Sequence, residues 1–148
     1  MLKIKKATSQ DIDQLLQLMQ KQFLEHEIQF NSVQLRSAIR HLLTTEGLGF
    51  VLTARRNSRL LGFAAISFAW TLEHGGKSAW LDELYVMPEF RNAGIGAMLI
   101  EQVAIEAQAS GCQVVDLEVD AAHRRAENLY ERAGFQKLAR SRWVKPLG

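Results

Sequence analysis

The chain has 148 residues, of which 47% are hydrophobic and 23% are charged. A chain of this length can bury enough surface to fold as one compact domain without disulfides or a structural metal. Its composition excludes collagenous, disulfide-framework and disordered proteins, and a net charge of +2 gives no argument by itself for a nucleic-acid partner.

The sequence carries no signal for a membrane. Its longest apolar-rich stretch, residues 60–70, is broken by Gly62 and Ser67 and is shorter than the roughly 20 residues that a membrane-spanning helix needs. The lysines near the start run into polar residues 8–11 and not into the apolar core of a signal peptide. We therefore expect a cytoplasmic protein that does not contact a membrane.

The first third of the chain predicts a strand followed by two helices. Leu2 and Ile4 alternate with lysines, which is typical of a half-buried strand. Thr8, with Asp11 three residues later, marks the start of a helix. One side of this helix is apolar at three- and four-residue spacing, and we expect the other side to keep polar residues in solvent: Gln14, Gln17, Lys21 and Gln22.

A second helix is predicted next, with Ser32 as its N-cap. Leu35, Ile39 and Leu43 repeat the helical stripe, and Gly47 is placed to end the helix in a left-handed conformation.

Residues 49–86 predict an antiparallel meander of three strands. Runs of β-branched and aromatic residues are separated there by turn-rich clusters at residues 55–59 and 73–77. Pro88 closes the third strand, and a helix is predicted over residues 94–109 with Gly111 as its stop.

The remaining sequence predicts a strand over residues 114–119, a helix over residues 122–132 ended by Gly134, and a final strand over residues 135–144. The order is therefore strand, two helices, three strands, helix, strand, helix, strand. This order predicts the α+β class, with a mixed central sheet and helices on both faces. No repeat or linker divides the chain, so we expect residues 1–148 to form a single domain.

The segment from Leu81 to Gly96 carries the most information about chemistry. It joins a strand to a helix through a turn that contains Gly94 and Gly96. Such a turn presents unpaired backbone N–H groups at the positive end of the helix dipole, and glycines let a phosphate approach the main chain closely. Arg91 adds a cationic fork for the same anion. The segment predicts a diphosphate site, although two glycines could equally well only shape a tight helix start.

Two nucleotide-binding motifs are excluded for this segment. No Gly-Lys-Ser or Gly-Lys-Thr follows, so it is not a Walker loop, and Leu99 stands where a dinucleotide fingerprint has its third glycine.

Two blocks of the sequence resemble the GNAT superfamily of N-acetyltransferases. The first is Arg91-x-x-Gly94-x-Gly96, preceded by Leu84-Tyr85-Val86-x-Pro88, which is similar to the acetyl-CoA loop of that superfamily. The second is Ala126-x-x-Leu129-Tyr130-Glu131-Arg132-x-Gly134-Phe135, which is similar to its later helix and final strand. The resemblance implies a GNAT-like fold, and the runs at residues 81–86 and 128–130 are most similar to the diamine and polyamine acetyltransferase branch.

The resemblance implies a site for acetyl-CoA as cosubstrate. The backbone groups of Leu84, Tyr85 and Val86 would pair with the pantetheine amides, since an open sheet edge offers such donors and acceptors. The diphosphate would be held by the Arg91 side chain and by the main-chain N–H groups of six residues: Asn92, Ala93, Gly94, Ile95, Gly96 and Ala97.

The resemblance also implies catalytic residues. Tyr130 matches the general acid for the departing thiolate; because a phenol with a pKa of about 10 protonates a thiolate of pKa about 8.5 slightly uphill, hydrogen bonding to the thiolate is the alternative. A tyrosine that only packs at the end of its helix is the structural alternative. A main-chain N–H near Leu84 would stabilise charge on the carbonyl oxygen.

Asp82 and Glu83 are both candidates for the base that deprotonates the amine, because they are the carboxylates nearest to the cofactor strand. Asp82 stands where the resemblance to the diamine branch places a glutamate base, whereas Glu83 has the longer reach. Strand alternation puts the two on opposite faces. Either carboxylate could instead be a solvated charge or a substrate-binding anion.

An acidic strand face and one substitution bear on the substrates. Asp116, Glu118 and Asp120 alternate along one strand, which is usually a wet surface but could favour a cationic amine acceptor. His123 stands where the superfamily often has an asparagine, so it either replaces that cofactor contact or is an exposed histidine. The other histidines lack metal-ligand spacing, so no metal site is predicted. Cys112 is interpreted as a small packing residue.

We therefore predict an acetyl-CoA-dependent N-acetyltransferase that transfers the acetyl group directly to a primary amine of a small-molecule or peptide acceptor. The alternative is a non-catalytic acyl-CoA-binding or regulatory module of the same fold. We expect no nucleic-acid partner, because interleaved aromatic residues are missing and the basic clusters fit solvated loop charge: Arg55, Arg56 and Arg59, then Arg124 and Arg125. An exposed final strand containing Trp143 could pair two copies as a homodimer.

Overall fold

The computed structural model describes residues 1–120 and 124–148, and the chain divides into two compact units, residues 1–117 and residues 118–148. The first unit, which is described throughout, contains five strands and three α-helices: β1 (Leu2–Lys6), α1 (Ile12–Glu25), α2 (Ser32–Thr44), β2 (Gly49–Arg56), β3 (Arg59–Thr71), β4 (Gly76–Val86), α3 (Ile95–Ala109) and β5 (Val115–Asp116). Two short 3₁₀ turns, Ser9–Asp11 and Pro88–Phe90, lie before α1 and α3.

The strands of the first unit form one sheet in their sequence order. β1 to β4 are each antiparallel to their neighbours, whereas β5 runs parallel to β4. The predicted three-stranded meander is confirmed. The crossover from β4 through α3 to β5 gives the predicted α+β class with a mixed sheet.

One face of the sheet is covered by α1 and α2. Leu15 of α1 and Ile39 of α2 belong to a buried cluster that also contains the strand residues Val51 and Phe63. The apolar stripes of both helices therefore face the sheet, as their periodicity predicts.

The other face of the sheet is covered by α3. Leu52 and Ala64 alternate with the cluster residues and are equally buried, so they point to this second face. Lys6 is the cross-strand partner of Leu52 and forms a salt bridge of 3.1 Å with Glu106 of α3. Helices thus lie on both faces of the sheet.

The predicted helix starts need one correction. The capping box before α1 is present, and the Asp11 carboxylate accepts a hydrogen bond of 2.9 Å from the Thr8 N–H. The N-cap of α2 is Asn31, and Ser32 is the first helical residue. The Asn31 Oδ1 accepts hydrogen bonds from the N–H groups two and three residues later, and asparagine caps as well as serine does.

Two strand predictions near the C-terminus are wrong: one strand is shorter than predicted and the other is not formed. The strand expected over residues 114–119 is reduced to β5, because the register of its partner β4 becomes irregular just beyond Trp80, where the parallel ladder stops. Residues 135–144 form no strand. Trp143 and Val144 are 91% and 86% exposed, so the alternating pattern does not bury these two side chains.

The second unit contains α4 (Arg124–Arg132), and residues 121–123, including His123, lie outside the described residues. The predicted stop at Gly134 is confirmed. Gly134 has a φ of +96°, its N–H donates to the Glu131 carbonyl, and the Phe135 N–H donates to the Tyr130 carbonyl at 3.0 Å. These two bonds form a Schellman cap, and the contact between the Phe135 and Tyr130 rings is the apolar contact that accompanies it.

Within residues 1–120 and 124–148, no helix combines the length and the apolar character needed to cross a membrane.

Candidate functional site

The second half of β4 leaves the regular sheet pattern at Asp82. Ala65 of β3 lies opposite Glu83, but the next β3 residue, Ile66, lies opposite Leu81. Asp82 is therefore an extra residue on β4 without a cross-strand partner. Such a bulge bends the strand and increases its local twist.

The bulge coincides with the place where β4 and β5 separate. β5 pairs with β4 at Ala79–Val115 and Trp80–Asp116, and the described residues contain no further pair between these strands. Beyond Trp80, the edge of β4 that faces away from β3 is therefore open to an extended ligand.

The backbone groups of Leu84 and Val86 point toward this open edge. The Met87 N–H donates to the Leu61 carbonyl at 2.9 Å. Because hydrogen-bonded and non-hydrogen-bonded pairs alternate along an antiparallel ladder, Tyr85 bonds to β3 whereas Leu84 and Val86 turn their backbone groups away from it. Two of the three residues predicted to pair with a ligand thus offer their main chain in the required direction.

Side chains already contact the carbonyls of this edge, which is defined here as residues 84–86. The Gln22 amide of α1 lies 3.5 Å from the Leu84 carbonyl oxygen. The Arg91 Nε donates to the Val86 carbonyl at 2.8 Å. A carbonyl oxygen has two lone pairs, so each can accept a second hydrogen bond.

The loop from Arg91 to the start of α3 turns twice through the left-handed region. Asn92 and Gly94 have φ values of +64° and +83°. Gly94 is the N-cap of α3 and supplies no side-chain acceptor, and the first turn of α3 contains no acidic residue. The N–H groups of Ile95, Gly96 and Ala97 therefore have no partner within their helix, which suits an anion. This loop and the first turn of α3 together contain all the residues predicted to hold a diphosphate.

The Arg91 guanidinium has partners of its own. It contacts both Glu25 carboxylate oxygens, at 3.2 and 2.9 Å, and lies 5.3 Å from the centre of the Tyr85 ring. Burial raises the pKa of Tyr85 above its usual value and the Glu25 charge raises it further, so the phenol stays protonated and donates to Glu25 at 3.4 Å. We call Glu25, Tyr85 and Arg91 the arginine clamp.

The three arginines of the β2–β3 hairpin, Arg55, Arg56 and Arg59, are not all simply solvated. Arg56 and Arg59 lie over the ring of Phe90, which directly precedes the loop. Arg55 is largely buried and forms a salt bridge of 3.2 Å with Asp11, which corrects the prediction that it is solvated.

The two candidate bases differ in their surroundings. Asp82 is exposed, whereas Glu83 is half-buried. Glu83 pairs with Ala65, whose side chain belongs to the cluster beneath α1 and α2, so Glu83 lies on that face of the sheet. The alternation argument does not assign a face to Asp82, because a bulge interrupts the alternation there.

Residues 12–135 match the acetyltransferase (GNAT) family. The chain belongs to the GNAT family.

Curated relatives of this GNAT protein are named as N-acetyltransferases. It is 35% identical to the thialysine N-epsilon-acetyltransferase of Mus musculus over 89 residues, which cover 58% of this chain and 50% of the relative. It is 26% identical to the aminoalkylphosphonate N-acetyltransferase of Salmonella typhimurium over 144 residues, which cover 97% and 90%. The chain thus spans about half the length of the mammalian relatives that it matches.

The fold is also that of solved acetyltransferases. A predicted acetyltransferase from Clostridium acetobutylicum, crystallised with acetyl-CoA, superposes with a TM-score of 0.83 over 98% of this chain and 96% of the other. At 21% identity this likeness shows the fold alone.

The remaining predicted residues of the GNAT protein are placed as follows. Tyr130 is half-buried in the second unit, and its ring centre lies 5.7 Å from that of Phe135. Cys112 follows the glycine that ends α3, and burial raises the pKa of its thiol; both facts fit a packing residue. No group of three His, Cys, Asp or Glu side chains able to hold a metal lies within the described part of the chain.

Sequence reasoning missed two residues of α1, Gln22 and Glu25. Gln22 was expected in solvent but is only 6% exposed, which corrects that prediction. Its position three residues after Met19 and seven after Leu15 places it on the apolar stripe, and this spacing could have identified it. Glu25 gives no such signal, because its partner Arg91 lies 66 residues away in the sequence.

Proposed function

We propose that this GNAT protein transfers the acetyl group of acetyl-CoA directly to a primary amine of a small-molecule or peptide acceptor. The observation that carries the proposal is the open edge of β4, which continues into a loop and a helix N-terminus without a side-chain cap. An extended chain with amides, joined to a diphosphate, fits this sequence of groups. The family match extends from residue 12 to residue 135 and supports one acetyltransferase domain formed by both units.

The cofactor is proposed to bind through the main chain. The backbone groups of Leu84 and Val86 would pair with the pantetheine arm, whereas those of Tyr85 bond to β3. The N–H groups of residues 92–97 would bind the diphosphate. The Arg91 guanidinium contributes positive charge from within the arginine clamp. Arg56 and Arg59, beside Phe90, add to the positive potential near the loop.

Transfer needs a neutral amine, a polarised carbonyl and a stabilised leaving thiolate. We assign the base to Glu83, because it is half-buried on the face of the sheet that α1 and α2 cover, whereas Asp82 is exposed. Asp82 then attracts a cationic acceptor. The Leu84 N–H stabilises the charge on the carbonyl oxygen, and Tyr130 protonates the thiolate or donates a hydrogen bond to it.

The proposed acceptor is a small cationic amine. Asp116 adds a carboxylate at the position where β4 and β5 separate, and negative charge there raises the local concentration of ammonium groups. The relatives named for thialysine and aminoalkylphosphonates support an amine on a short chain.

The test is release of CoA thiol from acetyl-CoA in the presence of thialysine, an aminoalkylphosphonate, an aminoglycoside and a lysine peptide. We expect amine-dependent release and an acetylated product by mass spectrometry. Binding of CoA without turnover on any amine would favour the non-catalytic module. An absence of CoA binding would overturn the cofactor site itself.

We also propose a homodimer through the C-terminal segment. Trp143, Val144 and Leu147 are 86–91% exposed, and residues 135–144 alternate as a strand does, so a second copy would supply a pairing partner. Light scattering tests this: a monomer at tens of micromolar would contradict it, and Trp143→Glu should dissociate a dimer.

A further inference from the structure

Gln22 is a polar residue in a position made for an apolar one. Leu15, Met19 and Gln22 follow one another on the stripe of α1 that packs on the sheet, and Leu15 and Met19 are 0% and 5% exposed. Gln22 itself is 6% exposed. Burial of an amide is unfavourable unless both its donor and its acceptor are satisfied, so a purely structural stripe would be better served by leucine or methionine.

The Gln22 amide is satisfied on one side only. Its Nε2 faces the Leu84 carbonyl oxygen at 3.5 Å, whereas its Oε1 is buried and has no hydrogen-bond partner among the described residues. The amide cannot be reversed profitably, because that would set Oε1 against the Leu84 carbonyl oxygen, and both are acceptors. The Leu84 carbonyl therefore fixes which atom of the amide faces the strand, and the atom left without a partner is the acceptor Oε1.

The orphaned acceptor lies beside the open edge of β4. The Leu84 carbonyl points away from β3, and Oε1 lies roughly 2 Å from Nε2 by standard amide geometry. Oε1 therefore lies within about 6 Å of the Leu84 carbonyl oxygen, so an N–H donor placed between the two oxygens reaches both. One N–H shared by two acceptors is common in proteins.

We propose that Gln22 positions the pantetheine arm of the cosubstrate, with its Oε1 accepting a hydrogen bond from an amide N–H of that arm. The inference depends on the proposed function, since it needs a CoA-type ligand at the edge of β4. Pantetheine has two secondary amides, whereas the diphosphate and the thioester have no N–H to offer. Gln22 thereby makes the site selective for an amide-bearing arm and ties α1 to the cosubstrate.

The test compares two ligands on two variants. Gln22→Met keeps the length of the side chain and removes its polar atoms, and Gln17→Met makes the same change at an exposed site of α1. Calorimetric titration uses CoA and its phosphoadenosine diphosphate half, which has the diphosphate but no amide. We expect Gln22→Met to weaken CoA binding by roughly three- to tenfold, the usual worth of one hydrogen bond. Gln22→Met should bind the nucleotide half as tightly as the wild type does. Gln17→Met should bind both CoA and the nucleotide half as tightly as the wild type does.

Stability separates this role from a structural one. Gln22→Met removes an unsatisfied buried acceptor, so its unfolding midpoint should equal or exceed that of the wild type. If Gln22 only held α1 against β4, the variant would be less stable and would lose affinity for both ligands equally, which would overturn the proposal.

A ligand-side change gives a second measurement. A CoA analogue whose pantetheine amides are replaced by esters cannot donate to Gln22 or to the β4 backbone, so both proteins should bind it more weakly than CoA. The three- to tenfold difference in affinity between wild type and Gln22→Met that is expected with CoA should disappear with the analogue. Equal binding of CoA by wild type and variant would overturn the role of Gln22 and leave the proposed function standing. A wild type that binds the nucleotide half but not CoA, or neither ligand, would overturn both.

Discussion

The two sequence blocks that identify the GNAT family differ in how far folding alone explains them. In the second block, Gly134 supplies the left-handed residue of a Schellman cap, and Phe135 and Tyr130 supply its apolar contact. The same cap ends α3 at Gly111 and Cys112, where there is no family motif. Most of the spacing in the second block is therefore explained by a helix stop, and the Tyr130 hydroxyl is not part of that cap.

The first block is not explained in this way. Gly94 starts α3 without a side-chain acceptor, in contrast to Asn31 at the start of α2. The backbone of Leu84 and Val86 turns away from the sheet partner that would satisfy it. A motif strongly supports ligand binding where its polar groups point away from the rest of the fold. It gives weak support where those groups are hydrogen-bonded within the fold.

The largest expected effect tests the second block. Tyr130→Phe keeps the ring of the cap and removes the hydroxyl, so we expect a kcat lower by about a hundredfold, the lower range for loss of a general acid. Phe135→Leu is the matched control, because it weakens the ring contact and leaves the hydroxyl, and it should lower stability more than kcat. If Tyr130→Phe had the kcat of the wild type, the second block would have only the structural role of ending α4.

The next effect tests the first block. Gly94→Val places a β-branched residue at a φ of +83° with no atom within 4 Å of the new Cβ, so only the backbone is strained. We expect the Kd for CoA to rise by about tenfold, since left-handed strain of roughly 1–2 kcal/mol is relieved by reshaping the loop. Gly111→Val has the same φ region and the same open space at the other end of α3. Gly111→Val should be destabilised as much as Gly94→Val but should keep the wild-type affinity for CoA. If both variants lost the same affinity for CoA, the geometry of the loop at Gly94 would have no specific role in binding.

A smaller effect separates the carboxylates beside the first block. Glu83→Gln should lower kcat by about tenfold, below the usual range for loss of a general base, because water can also accept the proton of the amine. Asp82→Asn should mainly raise the KM of a cationic amine by a few fold, as expected for loss of one exposed charge near the acceptor. Steady-state kinetics with acetyl-CoA saturating measure both. If Asp82→Asn instead lowered kcat and Glu83→Gln mainly raised KM, the base would be Asp82 at the bulge.

The sequence predicted the parts of this molecule that depend on local periodicity. The stripe through Leu15 and Met19 located α1 and its buried face, and the turn clusters divided residues 49–86 into three strands. The bulge at Asp82 could not be predicted, because it is a property of the pairing between β3 and β4 and has no pattern within β4 itself. The shortened β5 follows from the same cause.

Features that join distant parts of the chain were equally invisible. The loop residues were found because Arg91, Gly94 and Gly96 lie close together in the sequence, but the partner of Arg91 is Glu25 on a different element. Gln22 was misplaced because residue type was given more weight than its position on the stripe. The final strand was predicted from alternation, which describes only what a strand needs and not whether a partner is present.

The smallest effect concerns the arginine clamp, where the first block meets α1. Glu25 neutralises part of the charge that Arg91 brings to the loop, and both side chains are 37–40% exposed, so the pair contributes at most about 1 kcal/mol to stability. Glu25→Gln should leave the unfolding midpoint within a degree or two of the wild type and tighten CoA binding by about two- to fourfold at low salt, an effect that added salt removes. Asp13→Asn is the matched control, because it breaks the Arg36 salt bridge at the other end of α1 with the same change in net charge. Weaker CoA binding by Glu25→Gln would mean that Glu25 orients the guanidinium toward the diphosphate and does not compete with it.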